Sequence, residues 1–129
     1  MFARSIDFRA GVRTAAALAG IAFCLGGCAA MSRQYAIAVH NGGKSELHDA
    51  VVQVGDLEYN NGWLVARASK IRLTHLRRLP DSAVLKWRRP GGDWKERRLQ
   101  IGKCPYRTKY PTLRFTIDDT DQVTTEFFP

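Results

Sequence analysis

Residues 83–101 read AVLKWRRPGGDWKERRLQI, and the class of the whole chain turns on how this stretch folds. Ala83, Leu85 and Trp87 alternate with Val84, Lys86 and Arg88, the two-residue period of a strand with one buried face. Pro90, Gly91, Gly92 and Asp93 follow. Proline presets one backbone angle, and glycine accepts the positive φ that a tight turn demands. The returning run WKERRLQI then completes a hairpin.

The same pattern extends outward on both sides. Tyr35, Ile37 and Val39 alternate with Gln34, Ala36 and Ala38, and HNGGKSE at 40–46 carries the Asn-Gly chemistry of a second hairpin. LHDAVVQV at 47–54 reads as the next strand, and NNG at 60–62 as a turn. WLVARASKIRLTHL at 63–76 offers one or two strands, with Ile71 and Leu73 alternating against Arg72 and Thr74. TLRFTI and QVTTEFF flank DDTD at 118–121 as a last hairpin. The nearest approach to a helical pattern is ARASKIRLTHLRRL at 66–79, and no window sustains an i, i+3, i+4, i+7 stripe with caps.

Short strands at intervals of about 8–12 residues predict an all-β chain, a small antiparallel β-sandwich over residues 34–129. Its core is expected to draw on Ile37, Val39, Val52, Val54, Ile71, Leu73, Leu85, Trp87, Leu99, Phe115 and Ile117. At 129 residues with 45% apolar side chains, the chain is one domain's worth and has enough apolar surface for a core. Its formal charge of +8 favours anionic partners.

The N-terminal region narrows the choice of partner. Arg4, Arg9 and Arg13 stand against a single acid, Asp7, ahead of the apolar run TAAALAGIAFCL and the small residues Gly26 and Gly27. A positive head, a short apolar centre and small residues at the end are the three parts of a secretory signal peptide, here a cleaved signal helix over 1–27. The run is too rich in Gly and Ala to read as a membrane span, which needs about 20 strongly apolar residues.

LGGC at 25–28 resembles the lipobox of bacterial lipoproteins. That resemblance implies cleavage before Cys28, a diacylglyceryl group on its sulfur, and a short lipidated tether over 28–33. Cys24 would leave with the signal, Cys28 would become a thioether, and Cys104 alone would remain a thiol, so no intramolecular disulfide is expected. Several acyl chains on Cys28 would hold the protein stably to a membrane. Ala29 and Ala30 stand where many such lipoproteins carry the Asp that retains them in the inner membrane. The expected location is therefore the outer membrane, facing the periplasm.

The runs AVHNGGKSELHDAVVQVGD and AVLKWRRPGGDWKERRLQI together resemble the small immunoglobulin-like or transthyretin-like sandwiches of bacterial envelope lipoproteins, over residues 35–101. The resemblance implies a fold and no activity.

Groups able to do chemistry are sparse. His40, His48 and His75 lack zinc-ligand spacing. Ser45, Glu46, His48 and Asp49 crowd one turn, but neighbours on a strand alternate faces, so a polar hairpin end is expected in place of a triad. DDTD lacks the spacing of a calcium loop and reads as a hairpin tip. No cofactor, metal site or catalytic residue is expected.

Charge is distributed unevenly. Residues 67–114 contain 15 basic and 3 acidic side chains, whereas 115–129 contain 4 acids and no base. Trp87, Trp94, Tyr106 and Tyr110 are interleaved with the basic residues. The contact set expected from this density is Arg77, Arg78, Lys86, Arg88, Arg89, Lys95, Arg97 and Arg98. Export removes nucleic acid as a partner and leaves anionic lipid or an acidic protein. The leading expectation is a lipid-anchored, non-catalytic binding or assembly accessory module of the bacterial envelope. The alternative is a periplasmic immunity or inhibitor protein directed against an acidic toxin or enzyme.

Overall fold

The computed structural model describes residues 33–129, and the expectations placed on 1–27, on Cys28 and on the tether up to residue 32 lie outside them. Eight strands form in chain order: β1 Ala36–Asn41, β2 His48–Val54, β3 Leu57–Asn60, β4 Ser69–Leu73, β5 Ser82–Arg88, β6 Lys95–Gln100, β7 Thr112–Ile117 and β8 Val123–Phe128. They make two four-stranded sheets, ordered β4-β1-β7-β8 and β3-β2-β5-β6. No helix occurs among the described residues, and 66–79, the nearest approach to a helical pattern, contributes β4.

The inner faces supply one core. Ile37 and Val39 of β1 and Leu113, Phe115 and Ile117 of β7 meet Val52, Val54, Ala83, Leu85 and Trp87 from the other sheet. Burial on β5 and β7 alternates strictly, as a strand with one face on a core requires. Leu99 is only partly buried, since β6 is an edge strand.

Two hairpins fall where expected. β5 and β6 pair antiparallel around the Pro-Gly-Gly-Asp turn, with Trp87 opposite Lys95 and Gly91 at a φ of 69°. β7 and β8 pair around Asp118–Asp121, with Ile117 opposite Val123. There Asp118 Oδ1 accepts from the Thr120 N–H, the Thr120 hydroxyl and the Gln122 N–H. These bonds favour the carboxylate and lower the Asp118 pKa, the Thr120 hydroxyl contributing most. β3 was not separately expected; a two-residue turn at Gly55 and Asp56 folds it back onto β2.

Three expectations are corrected. HNGGKSE is no hairpin, because β1 and β2 lie in different sheets. The segment carries the chain across the sandwich, held by the buried Asn41. The Asn41 side-chain amide donates to the carbonyls of Ser45 and Leu64, and its oxygen accepts from the Gly43 N–H. A Cβ at Gly43 would come within 2.3 Å of Asp119 Oδ1, so a larger residue there would have to displace the Asp119 side chain.

Ile71 and Leu73 are not core residues; they are 65% and 58% exposed. The period was right and the phase wrong. Lys70 and Arg72 are the residues of β4 opposite the core-facing Val39 and Ile37, which turns Ile71 and Leu73 outward.

The pairing is not antiparallel throughout, because β1 runs parallel to β7 from Ala36↔Thr112 to Asn41↔Ile117. The cause is where the chain re-enters the sheet. The Gln34 and Ala36 N–H groups bond the carbonyls of Lys109 and Pro111, so β7 begins beside the start of β1 and follows it in the same direction.

Candidate binding surface

The β2-β5 ladder positions the first of the charged residues. Register shifts between His48 and Val51, and Asp49 takes a φ of 48°. Such a bulge re-aims a side chain, and here Asp49 Oδ2 accepts from Arg88 Nε at 3.0 Å and Nη2 at 2.8 Å. On the same outer face Lys86 lies 3.8 Å from Glu96. The Arg88 guanidinium also stands over the exposed Trp94 ring, 5.4 Å from its centroid. Val51, Glu58, Lys86, Trp94, Lys95 and Glu96 line a groove of ≈ 460 Å³.

The eight basic residues expected to act together are divided by the fold. The strand alternation of β5 and β6 puts Lys86, Arg88 and Arg98 on the outer face. Lys95 and Arg97 stand opposite the inward Trp87 and Leu85; Arg97 reaches the Trp87 ring at 6.0 Å, whereas Lys95, at the hairpin end, also borders the groove of the outer face. Both remain exposed because β6 is the edge of its sheet. Arg77 and Arg78 stand in the loop between β4 and β5. Among the described residues no carboxylate forms an ion pair with Lys95, Arg97 or Arg98, so the edge strand carries three basic side chains without an acidic partner.

Arg89 has a different task. Its Nε donates to Asp121 Oδ1 at 3.1 Å, Nη1 to Ser45 Oγ at 2.6 Å and Nη2 to the Asp118 carbonyl at 2.6 Å. Trp87 Nε1–H donates to the same Asp121 oxygen at 3.0 Å. Arg89 thus ties the β5-β6 hairpin to the β7-β8 hairpin of the opposite sheet, and is occupied by structure. Nothing in the local sequence marks it off from Arg88. Only the placement of Asp121 across the sandwich does so.

The polar cluster at 45–49 does not converge. Ser45 goes to Arg89 and Asp49 to Arg88. Glu46 meets His48 at 3.4 Å and accepts from Trp63 Nε1–H at 2.7 Å. His75 is exposed in a loop. Cys104 is half-buried in the loop before β7, with its sulfur 3.6 Å from the Tyr106 carbonyl. Nearby, burial pushes the Tyr35 hydroxyl pKa up, opposed by Arg33.

His40 lies on the outer face of the other sheet, its Nδ1 2.5 Å from Ser69 Oγ. Burial lowers its pKa from the ordinary 6.5, with Arg114 and Arg67 adding to the shift. The folded value lies below the unfolded one, so the unfolded chain takes up the proton first as pH falls. Stability from this residue is whole above the ordinary imidazole value and is lost as pH falls through the lower folded value. Urea unfolding between about pH 7.5 and pH 5 is expected to show that decline, and His40→Gln to flatten it. An equal decline in the variant would assign it to other groups.

No family model matches the chain, and no curated protein matches it. It is similar in structure to a protein from Eubacterium rectale solved by NMR, at 12% identity and a TM-score of 0.54, over 73% of this chain and 87% of that one. The likeness is one of fold.

Proposed function

We propose that this chain is a lipid-anchored accessory protein of the bacterial cell envelope, held at the periplasmic side of the outer membrane through Cys28, with a non-catalytic binding role. The observation that carries this reading is LGGC at 25–28, set behind three arginines and a short apolar run. The domain is read as an immunoglobulin-like or transthyretin-like sandwich, a reading to which the two facing four-stranded sheets lend support.

The basic edge strand β6, the exposed Trp94 and the groove beside it favour an anionic partner, either acidic protein or lipid phosphate. Tryptophan and arginine at an exposed site are the residue types that dominate binding energy at protein interfaces. Each basic side chain near an anionic bilayer contributes about 1 kcal/mol.

Metabolic labelling tests the anchor. The wild-type chain is expected to incorporate labelled palmitate and to sediment with membranes. Cys28→Ala is expected to lose the label and move to the soluble fraction. A Cys28→Ala chain that still sediments in full, or a wild-type chain that takes no label, would overturn the anchor.

A further inference from the structure

The β4 strand has an unusual edge. The Asn41 N–H bonds the Ala68 carbonyl and the Thr74 N–H bonds the Tyr35 carbonyl. With the register Ala36↔Leu73 to His40↔Ser69, the hydrogen-bonded pairs of this antiparallel ladder are Ile37 with Arg72 and Val39 with Lys70. The N–H and C=O groups of Ser69, Ile71 and Leu73 therefore point away from β1. Among the described residues no strand lies on that side. All five residues of β4 are exposed, Ile71 and Leu73 among the most exposed large apolar side chains.

A free edge with apolar side chains is a template for strand addition, and the surrounding charge selects what can add. Residues 59–80 contain five basic side chains and no acid. Lys70 and Arg72 are held on the inner side of β4, Lys70 Nζ on the Asn61 carbonyl at 2.5 Å and Arg72 over the Tyr59 ring at 5.2 Å. In an antiparallel pairing of β4 with a second copy about Ile71, Lys70 would stand opposite Arg72 of the other chain, and like charges directly opposite are destabilising. A lipid bilayer would accept Ile71 and Leu73 but cannot satisfy an open strand edge, since unpaired backbone groups do not enter hydrocarbon.

We infer that β4 is a docking edge for an extended acidic segment of another protein, which adds as a fifth strand beside Ser69–Leu73. Apolar side chains of the added strand lie beside Ile71 and Leu73. Its acidic side chains, two residues apart, lie beside Lys70 and Arg72. The site is separate from β6 and does not depend on the lipid anchor.

Amide hydrogen exchange on the purified full chain tests this, with two synthetic probes: an alternating valine–glutamate octapeptide and its valine–lysine counterpart. In the free protein the Lys70 and Arg72 amides are expected to be protected and those of Ser69, Ile71 and Leu73 to exchange fast. With the acidic peptide at about ten times its Kd, exchange at Ser69, Ile71 and Leu73 is expected to slow about tenfold. The lysine peptide is expected to leave it unchanged.

Ile71→Pro removes one free N–H without touching the ladder to β1, and is expected to abolish the effect while the Lys70 and Arg72 amides stay protected. If that variant loses the ladder, the Lys70→Glu, Arg72→Glu double variant decides, since it is expected to reverse the choice of peptide. Equal protection by both peptides, protection at another edge strand, or protection by anionic vesicles in place of peptide would each overturn the inference.

Discussion

Trp87→Ala is expected to lower the unfolding free energy by about 3–5 kcal/mol, the range for truncating a large buried aromatic. The side chain is fully buried in the core between the sheets, and its loss also takes the Nε1–H from Asp121. Domains of this size are stable by only about 5–15 kcal/mol, so the variant would stand near the limit of folding. Trp87→Phe separates the two contributions: it keeps most of the apolar volume and loses the hydrogen bond. Asp121 would still hold Arg89, so a cost of about 1–2 kcal/mol is expected. Urea unfolding followed by circular dichroism measures both variants. A Trp87→Ala cost below about 1.5 kcal/mol would show that the core does not depend on this ring.

Asn41→Leu is the second large effect. The side chain is fully buried at the point where the chain leaves one sheet for the other, and it satisfies the Gly43 N–H and the carbonyls of Ser45 and Leu64. A buried polar group left without a partner costs about 1–3 kcal/mol. The Leu64 carbonyl keeps the Leu47 N–H, which leaves the Gly43 N–H and the Ser45 carbonyl as the groups that lose most. A destabilisation of about 2–4 kcal/mol follows. Its mark is that a substitution toward the apolar, at a fully buried site, destabilises. An Asn41→Leu protein as stable as wild type would mean that water reaches these groups.

Local chemistry was legible in this sequence, and long-range placement was not. The alternation of Ala83–Arg88 and the Pro-Gly-Gly-Asp turn act within a dozen residues, so strand, turn and hairpin could be read together. Asn41 with Gly42 and Gly43 carries the same turn signal. That signal specifies a change of direction and not which sheet receives the next strand; the answer lay in the Leu64 carbonyl, 23 residues away. Ile71 and Leu73 show the corresponding limit on faces. An edge strand can turn Lys70 and Arg72 inward because their long stems reach Tyr59 of the other sheet and Asn61 just beyond it, so apolar period alone does not identify the buried side.

Density along the chain likewise marked the contact set. Arg88 and Arg89 are neighbours, yet one flanks an exposed tryptophan and the other closes the end of the sandwich. Linear clustering cannot separate them, because the carboxylates that claim them, Asp49 and Asp121, come from different sheets.

The parallel seam between β1 and β7 has a consequence for how the chain reaches its fold. Every other strand pair joins residues that are closer in sequence, and the hairpins β2-β3, β5-β6 and β7-β8 can form early at small loop-closure cost. β1 is an interior strand of its sheet, but its second neighbour, Thr112–Ile117, is made almost last. Until those residues emerge, Ile37 and Val39 lack Leu113, Phe115 and Ile117 of the core, and β1 offers an open edge. Folding should therefore be slow and strongly dependent on completing the C-terminal hairpin. A chain that stops short of Thr112 is expected to persist in a collapsed, aggregation-prone form with a hungry first strand.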